Sequence, residues 1–315
     1  MLTRCLFALI LVTISAACLY AQTGGDISGH VADSTGAIIP NAAITLTNAG
    51  KGTSRSTVTT GAGDYSFPDV PPGVYRIEVQ HQGFKTAARG NFELQVQQSL
   101  RQDFTMQVGA VTQSVTVEAT GTLLQAENAT VGTVIENAAV NEMPLNGRNY
   151  LSLVALSSNA NTLSPASGQA GSRLGGDRST QAISVGGQRI MFDYYTLDGV
   201  NTTDPDFVTY LGLPSLDGIQ EFKVQTGVYP AEFGHEATQV NVVSKSGSNT
   251  YHGAMYDFIR NNIADANPYF FPYNAAPPKV YPYKWNDYGF ELDGPIRIPK
   301  VYNGRDRFFF MVDDE

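Results

Sequence analysis

The sequence predicts a mainly β, multidomain protein, and three observations carry that expectation. Between residues 24 and 107, short alternating apolar runs are broken by turn clusters about every ten residues, the mark of an all-β sandwich. Residues 121–249 mix short helical and strand patterns in an order that fits a small α/β domain. From residue 250 onward 16 of the chain's 33 aromatic residues fall in the last 66 positions, and period-two stretches appear. Composition fits real cores: 42% of the 315 residues are hydrophobic, which argues against intrinsic disorder. Twenty basic against 29 acidic residues leave a formal charge of -9, the wrong balance for a nucleic-acid partner.

The N-terminus reads as an export signal spanning residues 1–21. Arg4 precedes a 17-residue uncharged run, Cys5–Ala21, whose apolar centre (Leu6 to Ile14) gives way to small residues Ser15, Ala16 and Ala17. That is the pattern of a secretory signal cleaved after Ala21. A retained anchor is the alternative, although the run is shorter than the ~20 residues of a spanning helix. A lipoprotein-type site at Cys18 is another, with Ser15 where an aliphatic residue is wanted. Both cysteines, Cys5 and Cys18, lie in this stretch, so cleavage leaves no disulfide and no cysteine-ligated metal.

In the sandwich segment the alternating positions are Ile27, Gly29 and Val31; Ile44 and Leu46; Tyr65 and Phe67; Tyr75, Ile77 and Val79; and Leu94 and Val96. The punctuating clusters are Asp33-Ser34-Thr35-Gly36, Gly50-Lys51-Gly52, Gly61-Ala62-Gly63 and Pro71-Pro72-Gly73. The pattern Gly29-x-Val31-x-Asp33-x-x-Gly36-x-x-Ile39-Pro40-x-Ala42, followed by Gly63-x-Tyr65-x-Phe67-x-x-Val70-x-Pro72-Gly73-x-Tyr75, resembles the carboxypeptidase regulatory-like domain. The resemblance implies a transthyretin-like Greek-key sandwich that is not itself catalytic. Tyr65, Phe67 and Tyr75 are expected in its core; a carbohydrate-binding use of those aromatics is the sharper but less favoured alternative.

Residues 108–120 are β-branched, short and bounded by glycine. Three readings stay open: a last sandwich strand, an extended linker, or a strand held for edge addition to a partner sheet. The segment resembles the TonB box of TonB-dependent outer-membrane transporters, and the resemblance implies a docking strand at Ser114, Val115, Thr116, Val117 and Glu118.

In residues 121–249, Glu136–Glu142 predicts a short helix stopped at Met143-Pro144. Asn146 is expected to cap a second helix presenting Tyr150, Leu153 and Val154 on one face. A Gly/Ser-rich loop, Ser164–Arg178, and strands at 182–185, 221–225 and 239–244 complete the pattern. The ordered motifs Met143-Pro144-Leu145-Asn146-Gly147-Arg148-Asn149, Val185-Gly186-Gly187-Gln188-Arg189, Thr196-Leu197-Asp198-Gly199-Val200 and Val242-Val243-Ser244-Lys245-Ser246-Gly247 resemble the plug of Oar-like TonB-dependent transporters. The resemblance makes Asn146, Gly147, Arg148, Asp198 and Gly199 the plug-motif residues.

Residues 250–315 read as the first strands of an outer-membrane β-barrel. Asn286, Tyr288, Phe290 and Leu292 alternate with Asp287, Gly289, Glu291 and Asp293, apolar outward and polar inward. Ala254, Tyr256 and Phe258 are expected to form a second outward face, opposite Gly253, Met255 and Asp257. Tyr251-His252-Gly253, Phe290-Glu291-Leu292-Asp293-Gly294-Pro295-Ile296 and Arg307-Phe308-Phe309-Phe310 resemble the same family's early barrel strands. Ile263–Lys284, with five prolines and six aromatics, reads as a long surface loop. A barrel of 22 strands needs roughly 220 residues in strands alone. The chain is therefore expected to be a fragment or truncated frame that stops inside a barrel strand, at Phe308–Glu315.

Enzyme signatures fail. His235-Glu236-Ala237-Thr238-Gln239 has Gln where a zinc protease needs its second His. No Gly-x-Ser-x-Gly elbow and no phosphate loop appears. Asp204-Pro205-Asp206 lacks the glycine and terminal glutamate of a calcium loop. No catalytic residue, metal or cofactor is expected. The function that the resemblance implies is TonB-dependent outer-membrane uptake. Its partners would be the periplasmic C-terminal domain of TonB, outer-membrane lipid and an extracellular ligand, such as a carbohydrate or peptide. An envelope or surface-adhesion polysaccharide-binding protein without transport is the runner-up, and a secreted sugar-binding protein the third reading.

Overall fold

The computed structural model describes residues 24–109, 114–117, 130–143, 145, 148–163, 182–188, 192–204, 210–211, 214–229, 238–266, 280, 282 and 284–315. The expected signal (1–21), the loop 164–178, most of the loop 263–284, His235, and the motif residues Glu118, Asn146 and Gly147 lie outside these. The chain forms two compact units, residues 1–244 and 245–315.

The first unit opens with a two-sheet sandwich. Its strands are β1 (Gly25–Asp33), β2 (Ala43–Asn48), β3 (Ser54–Val58), β4 (Asp64–Val70), β5 (Gly73–Gln80), β6 (Thr86–Leu94), β7 (Ser99–Arg101), β8 (Phe104–Met106) and β9 (Ser114–Val117). One sheet runs β4-β1-β7, with β8 also pairing β1; the other runs β3-β2-β5-β6-β9. The alternating residues of both sheets meet in one core that includes Ile27, Val31, Ile44, Leu46, Tyr65, Phe67, Tyr75, Ile77, Val79 and Leu94. Each such side chain contributes about 1.5–3 kcal/mol by burial. Tyr65 settles its hydroxyl by donating to the Gln102 carbonyl at 2.6 Å, and Tyr75 donates to Pro71 at 2.7 Å, so these rings are core.

Two features explain the glycine and turn spacing. A Cβ at Gly29 would stand 1.9 Å from the Gln102 carbonyl oxygen, so β1 runs too close to the β7–β8 junction for any side chain. In the Asp33–Gly36 cluster, Asp33 Oδ1 accepts the backbone N–H groups of Thr35 (2.8 Å) and Ala37 (2.9 Å) and turns the chain.

A second sheet follows. Its elements are β10 (Gly132–Glu136), helix α1 (Asn137–Glu142), a 3-10 helix (Tyr150–Leu156), β11 (Ala160–Leu163), β12 (Ala182–Val185), β13 (Asp193–Leu197), β14 (Val200–Asn201), β15 (Ile219–Gln225) and β16 (Thr238–Ser244). The five-stranded sheet is ordered β10-β15-β16-β13-β14, and β11 pairs β12 in a separate ribbon. Its apolar face, with Ile135, Phe222, Val224, Val240 and Val242, packs on Val140, Tyr150, Leu151, Leu153 and Val154. Both expected helices form, though short: α1 has six residues, and the second helix is 3-10. Its cap is Asn149, whose Oδ1 accepts the Leu151 N–H at 2.9 Å, and not the expected Asn146. Asn149 stands directly before the helix, which is where a cap must lie.

The second unit is a three-stranded antiparallel sheet, β17 (His252–Asn261), β18 (Lys284–Pro295) and β21 (Phe309–Asp314), ordered β17-β18-β21 and unclosed. Between β18 and β21 lies a small hairpin, β19 (Arg297–Ile298) and β20 (Tyr302–Asn303). In β18 the expected alternation holds: positions 286, 288, 290 and 292 are exposed, whereas Glu291 and Asp293 are buried. In β17 the expectation fails. The register pairs Met255 with Phe290, Gly253 with Leu292, and Asp257 with Tyr288, whereas Tyr256 faces Gly289 and Phe258 faces Asp287. Directly paired residues share a face. Met255 and Ile259 therefore extend the outward apolar band with Tyr288, Phe290, Leu292 and Val312, and Tyr256 and Phe258 belong to the polar face. Tyr256 fits there because glycine opposes it: a Cβ on Gly289 would lie 2.4 Å from the Tyr256 hydroxyl.

Candidate functional site

Three local arrangements position candidate functional residues. The first is the segment resembling a docking strand. Ser114, Val115, Thr116 and Val117 form β9, which pairs in parallel with Thr86–Arg89 of β6 and ends that sandwich sheet. The segment is therefore the end strand of that sheet, a position compatible with both the last-strand reading and the edge-addition reading. A parallel edge strand of four residues is held by few backbone bonds, and among the described residues no other strand pairs with its outer edge.

The second arrangement joins two of the ordered motifs. Asp198 and Gly199 are the tip of the β13–β14 hairpin, with φ values of 49° and 77°, the left-handed pair that a two-residue turn requires. The Asp198 carboxylate reaches across to the end of β16, accepting the Ser244 N–H at 2.9 Å and the Ser244 hydroxyl at 2.7 Å. The Asp198 N–H donates to the Val242 carbonyl at 2.9 Å. Thr196-Leu197-Asp198-Gly199-Val200 and the start of Val242-Val243-Ser244 are thus one structural unit. Arg148, at φ 48°, instead pairs its guanidinium with Asp217, both side chains being largely buried. Asp217 lies in the turn before β15 and carried no sequence signal.

The third arrangement is one that sequence reasoning missed. The face of β15–β16 opposite the apolar core carries Glu221, Lys223, Gln225, Gln239 and Asn241, all buried. It meets the sandwich at the β6–β7 connection, Gln95–Gln98. There the Val96 N–H donates to the Glu221 carboxylate, and Lys223 Nζ donates to the Gln97 carbonyl at 3.0 Å. Asn241 Nδ2 donates to Gln97 Oε1 at 3.2 Å while its Oδ1 accepts from Thr196 at 2.7 Å. Gln95 Nε2 donates to Glu136 at 3.1 Å. Gln97 holds the connection in shape at φ 51°. Burial raises the Glu221 pKa to about 7, with Glu93 and Glu136 adding to the rise and the Val96 bond opposing it. Burial likewise lowers Lys223 to about 8, against the pull of Glu221. The alternation in Ile219–Gln225 was the available signal, but it reads equally well as a half-exposed strand.

In the second unit Lys245, from the Val242–Gly247 motif, spans both carboxylate oxygens of Glu291 at 2.9 and 3.0 Å. Two residues on, Gly247 passes so close to β18 and β21 that a Cβ would stand 2.5 Å from the Phe310 carbonyl oxygen. The second half of the motif, Lys245–Gly247, is thus a backbone-fitting and ion-pairing element of the strand sheet. Among the described residues no group of three His, Cys, Asp or Glu side chains is arranged to hold a metal. No helix there is long and apolar enough to cross a membrane.

Comparison with known proteins matches two segments. Residues 26–107 fit the family model of the carboxypeptidase regulatory-like domain, and residues 243–315 fit that of an outer membrane beta barrel domain. The TonB-dependent transporter Oar of Myxococcus xanthus is 24% identical over 211 residues, covering 64% of this chain. The chain spans 18% of that relative's length. Among solved structures, the siderophore receptor PirA from Pseudomonas aeruginosa overlaps 54% of this chain and 26% of its own, at 14% identity and a TM-score of 0.36. The 5-hydroxyisourate hydrolase of Klebsiella pneumoniae overlaps 29% of this chain and 92% of its own, at 19% identity and a TM-score of 0.23. Neither structural overlap bears on function. Two segments of the chain are thus similar to a carboxypeptidase regulatory-like domain and to an outer membrane beta barrel domain, and about two thirds of the chain is similar to part of a TonB-dependent transporter.

Proposed function

We propose that this chain carries the docking and gating parts of a TonB-dependent outer-membrane transporter, followed by the first strands of its barrel. In this reading residues 1–21 direct export, 24–107 form a periplasmic sandwich, 108–120 hold the docking strand, 121–249 are the plug and 250–315 begin the barrel. An extracellular ligand binds on the plug's outer side and frees the strand around Val115. The C-terminal domain of TonB pairs with it by strand addition, and the pull remodels the plug. No step needs a catalytic residue or a cofactor.

The observation that supports this reading is the setting of Ser114–Val117. It is a short strand at the margin of a sheet, where backbone groups are available to a partner strand. Asp198, Gly199 and Arg148 serve the plug as turn and ion-pair residues and not as ligand contacts.

Proline at position 115 or 117 removes a backbone donor from the strand. Val115→Pro and Val117→Pro should each abolish binding to the purified TonB C-terminal domain, whereas Val115→Thr should retain it. Unchanged binding by the proline variants would sink the docking assignment.

A further inference from the structure

The chain that links β18 to β21, residues 296–308, is unlike the rest of the protein in charge. In a chain with a formal charge of -9, it holds four basic residues, Arg297, Lys300, Arg305 and Arg307, against one acid, Asp306. All four cations are exposed, and none has an ion-pair partner among the described residues. The acid is tied elsewhere: Asp306 Oδ1 accepts from Asn249 Nδ2 at 2.6 Å, and its N–H donates to Asn249 Oδ1 at 2.9 Å. Apolar side chains are interleaved with the cations and stand equally bare, with Ile298 51%, Val301 79% and Phe308 61% exposed.

The segment is built, not loose. Arg297 pairs with Asn303 and Ile298 with Tyr302 across the β19–β20 ladder, and Gly304 N–H closes onto the Ile296 carbonyl at 2.9 Å. Its ring-bearing residues cluster at the same end of the sheet. Tyr302 meets Phe308 edge-on at 6.2 Å, and Arg297 lies over the Tyr251 ring at 5.9 Å. Directly beyond this cluster runs the outward band of Met255, Phe290, Leu292 and Val312.

From these placements we infer that residues 296–308 bind anionic phospholipid headgroups at the membrane surface. An apolar strand face ending in an aromatic girdle marks where hydrocarbon gives way to headgroups. A basic hairpin with exposed apolar side chains at that level has the chemistry to hold lipid phosphates while its Ile and Val side chains dip into the acyl boundary. The inference rests on the barrel reading. The hairpin lies at the end where the chain enters β17, which in that reading is the periplasmic end and faces the phospholipid leaflet.

The test is co-flotation of the full chain with vesicles of phosphatidylcholine alone, or with phosphatidylglycerol added, at low and high salt. Each surface cation near anionic lipid is worth about fivefold in partitioning. The chain should favour phosphatidylglycerol vesicles, and high salt should reduce that preference. The variant Arg297→Gln/Lys300→Gln/Arg305→Gln/Arg307→Gln should lose up to roughly six hundredfold in preference while still floating with neutral vesicles. The charge-keeping variant Arg297→Lys/Arg305→Lys/Arg307→Lys should retain it. Equal partition of the parent chain onto both vesicle types, or a preference that survives the Gln variant, overturns the hairpin's role and leaves the transporter reading intact. Failure to float with either overturns both.

Discussion

The carboxylate of Asp198 holds both the backbone N–H and the hydroxyl of Ser244, 46 residues further along the chain. Asp198→Ala removes both bonds and forces an alanine into a left-handed turn position. It should lower the unfolding free energy by about 2–4 kcal/mol. Asp198→Asn, which tolerates that conformation and keeps an acceptor, should cost no more than about 1–2 kcal/mol. Denaturant unfolding of the two variants measures the difference, and equal losses would remove the turn's share of the argument.

Glu221 makes stability depend on pH in a defined direction. Its pKa rises from the ordinary 4.5 to about 7 on folding, so the folded state holds its proton more tightly than the unfolded state. Its stabilising contribution is full below about 4.5 and is lost as pH rises through 7. Glu221→Gln keeps an acceptor for Val96 without titrating. Relative to the parent, the variant should gain about 2 kcal/mol between pH 5 and pH 8. Parallel stability curves for the two proteins would refute the assignment.

Lys223 works in the opposite sense, since its pKa falls from 10.5 to about 8. Its contribution is present above about 10.5 and is lost as pH falls through 8. Lys223→Gln should therefore gain stability relative to the parent as pH drops from 10 toward 7. Thermal unfolding across that range reads the effect, and a difference that does not change with pH would exclude it.

Arg148 and Asp217 form a largely buried pair. Removing either partner alone leaves an uncompensated charge and should cost about 3–5 kcal/mol, whereas Arg148→Met/Asp217→Leu should recover much of that loss. A double-mutant cycle gives the coupling. Additive losses would show that the two side chains act independently.

Met255 and Tyr256 are neighbours in sequence on opposite faces of β17. A fluorophore on Met255→Cys should be strongly quenched by brominated lipid, and one on Tyr256→Cys should not. Met255→Arg should weaken membrane insertion by up to about 2–4 kcal/mol. Equal quenching at the two positions would reverse the face assignment.

What the sequence made legible follows from where its patterns were one-sided. In the sandwich β2 and β5 each bury one parity of residues, so Ile44 and Leu46, or Tyr75, Ile77 and Val79, announce both strand and face. The three-residue strands β7 and β8 are too short for any period to show. In Gly253–Ile259 both parities carry large apolar side chains, so only the register against β18 decides that Met255, and not Tyr256, faces outward. Asn146 and Asn149 both suit a cap, and chain geometry chose the second. Along Glu221–Gln225 polar and apolar residues alternate, but periodicity does not record what lies opposite the polar side; here it is the backbone of Val96 and Gln97.

That meeting of Gln95–Gln98 with Glu221, Lys223 and Asn241 has a mechanical consequence. Surfaces sealed by apolar side chains resist parting because water gains nothing by entering. Here Gln95, Val96 and Gln97 meet Glu136, Glu221, Lys223 and Asn241 through hydrogen bonds that water replaces in kind, so the sandwich and the sheet beside it share a wettable joint. Such a joint can open without baring a greasy face and close again without misfolding.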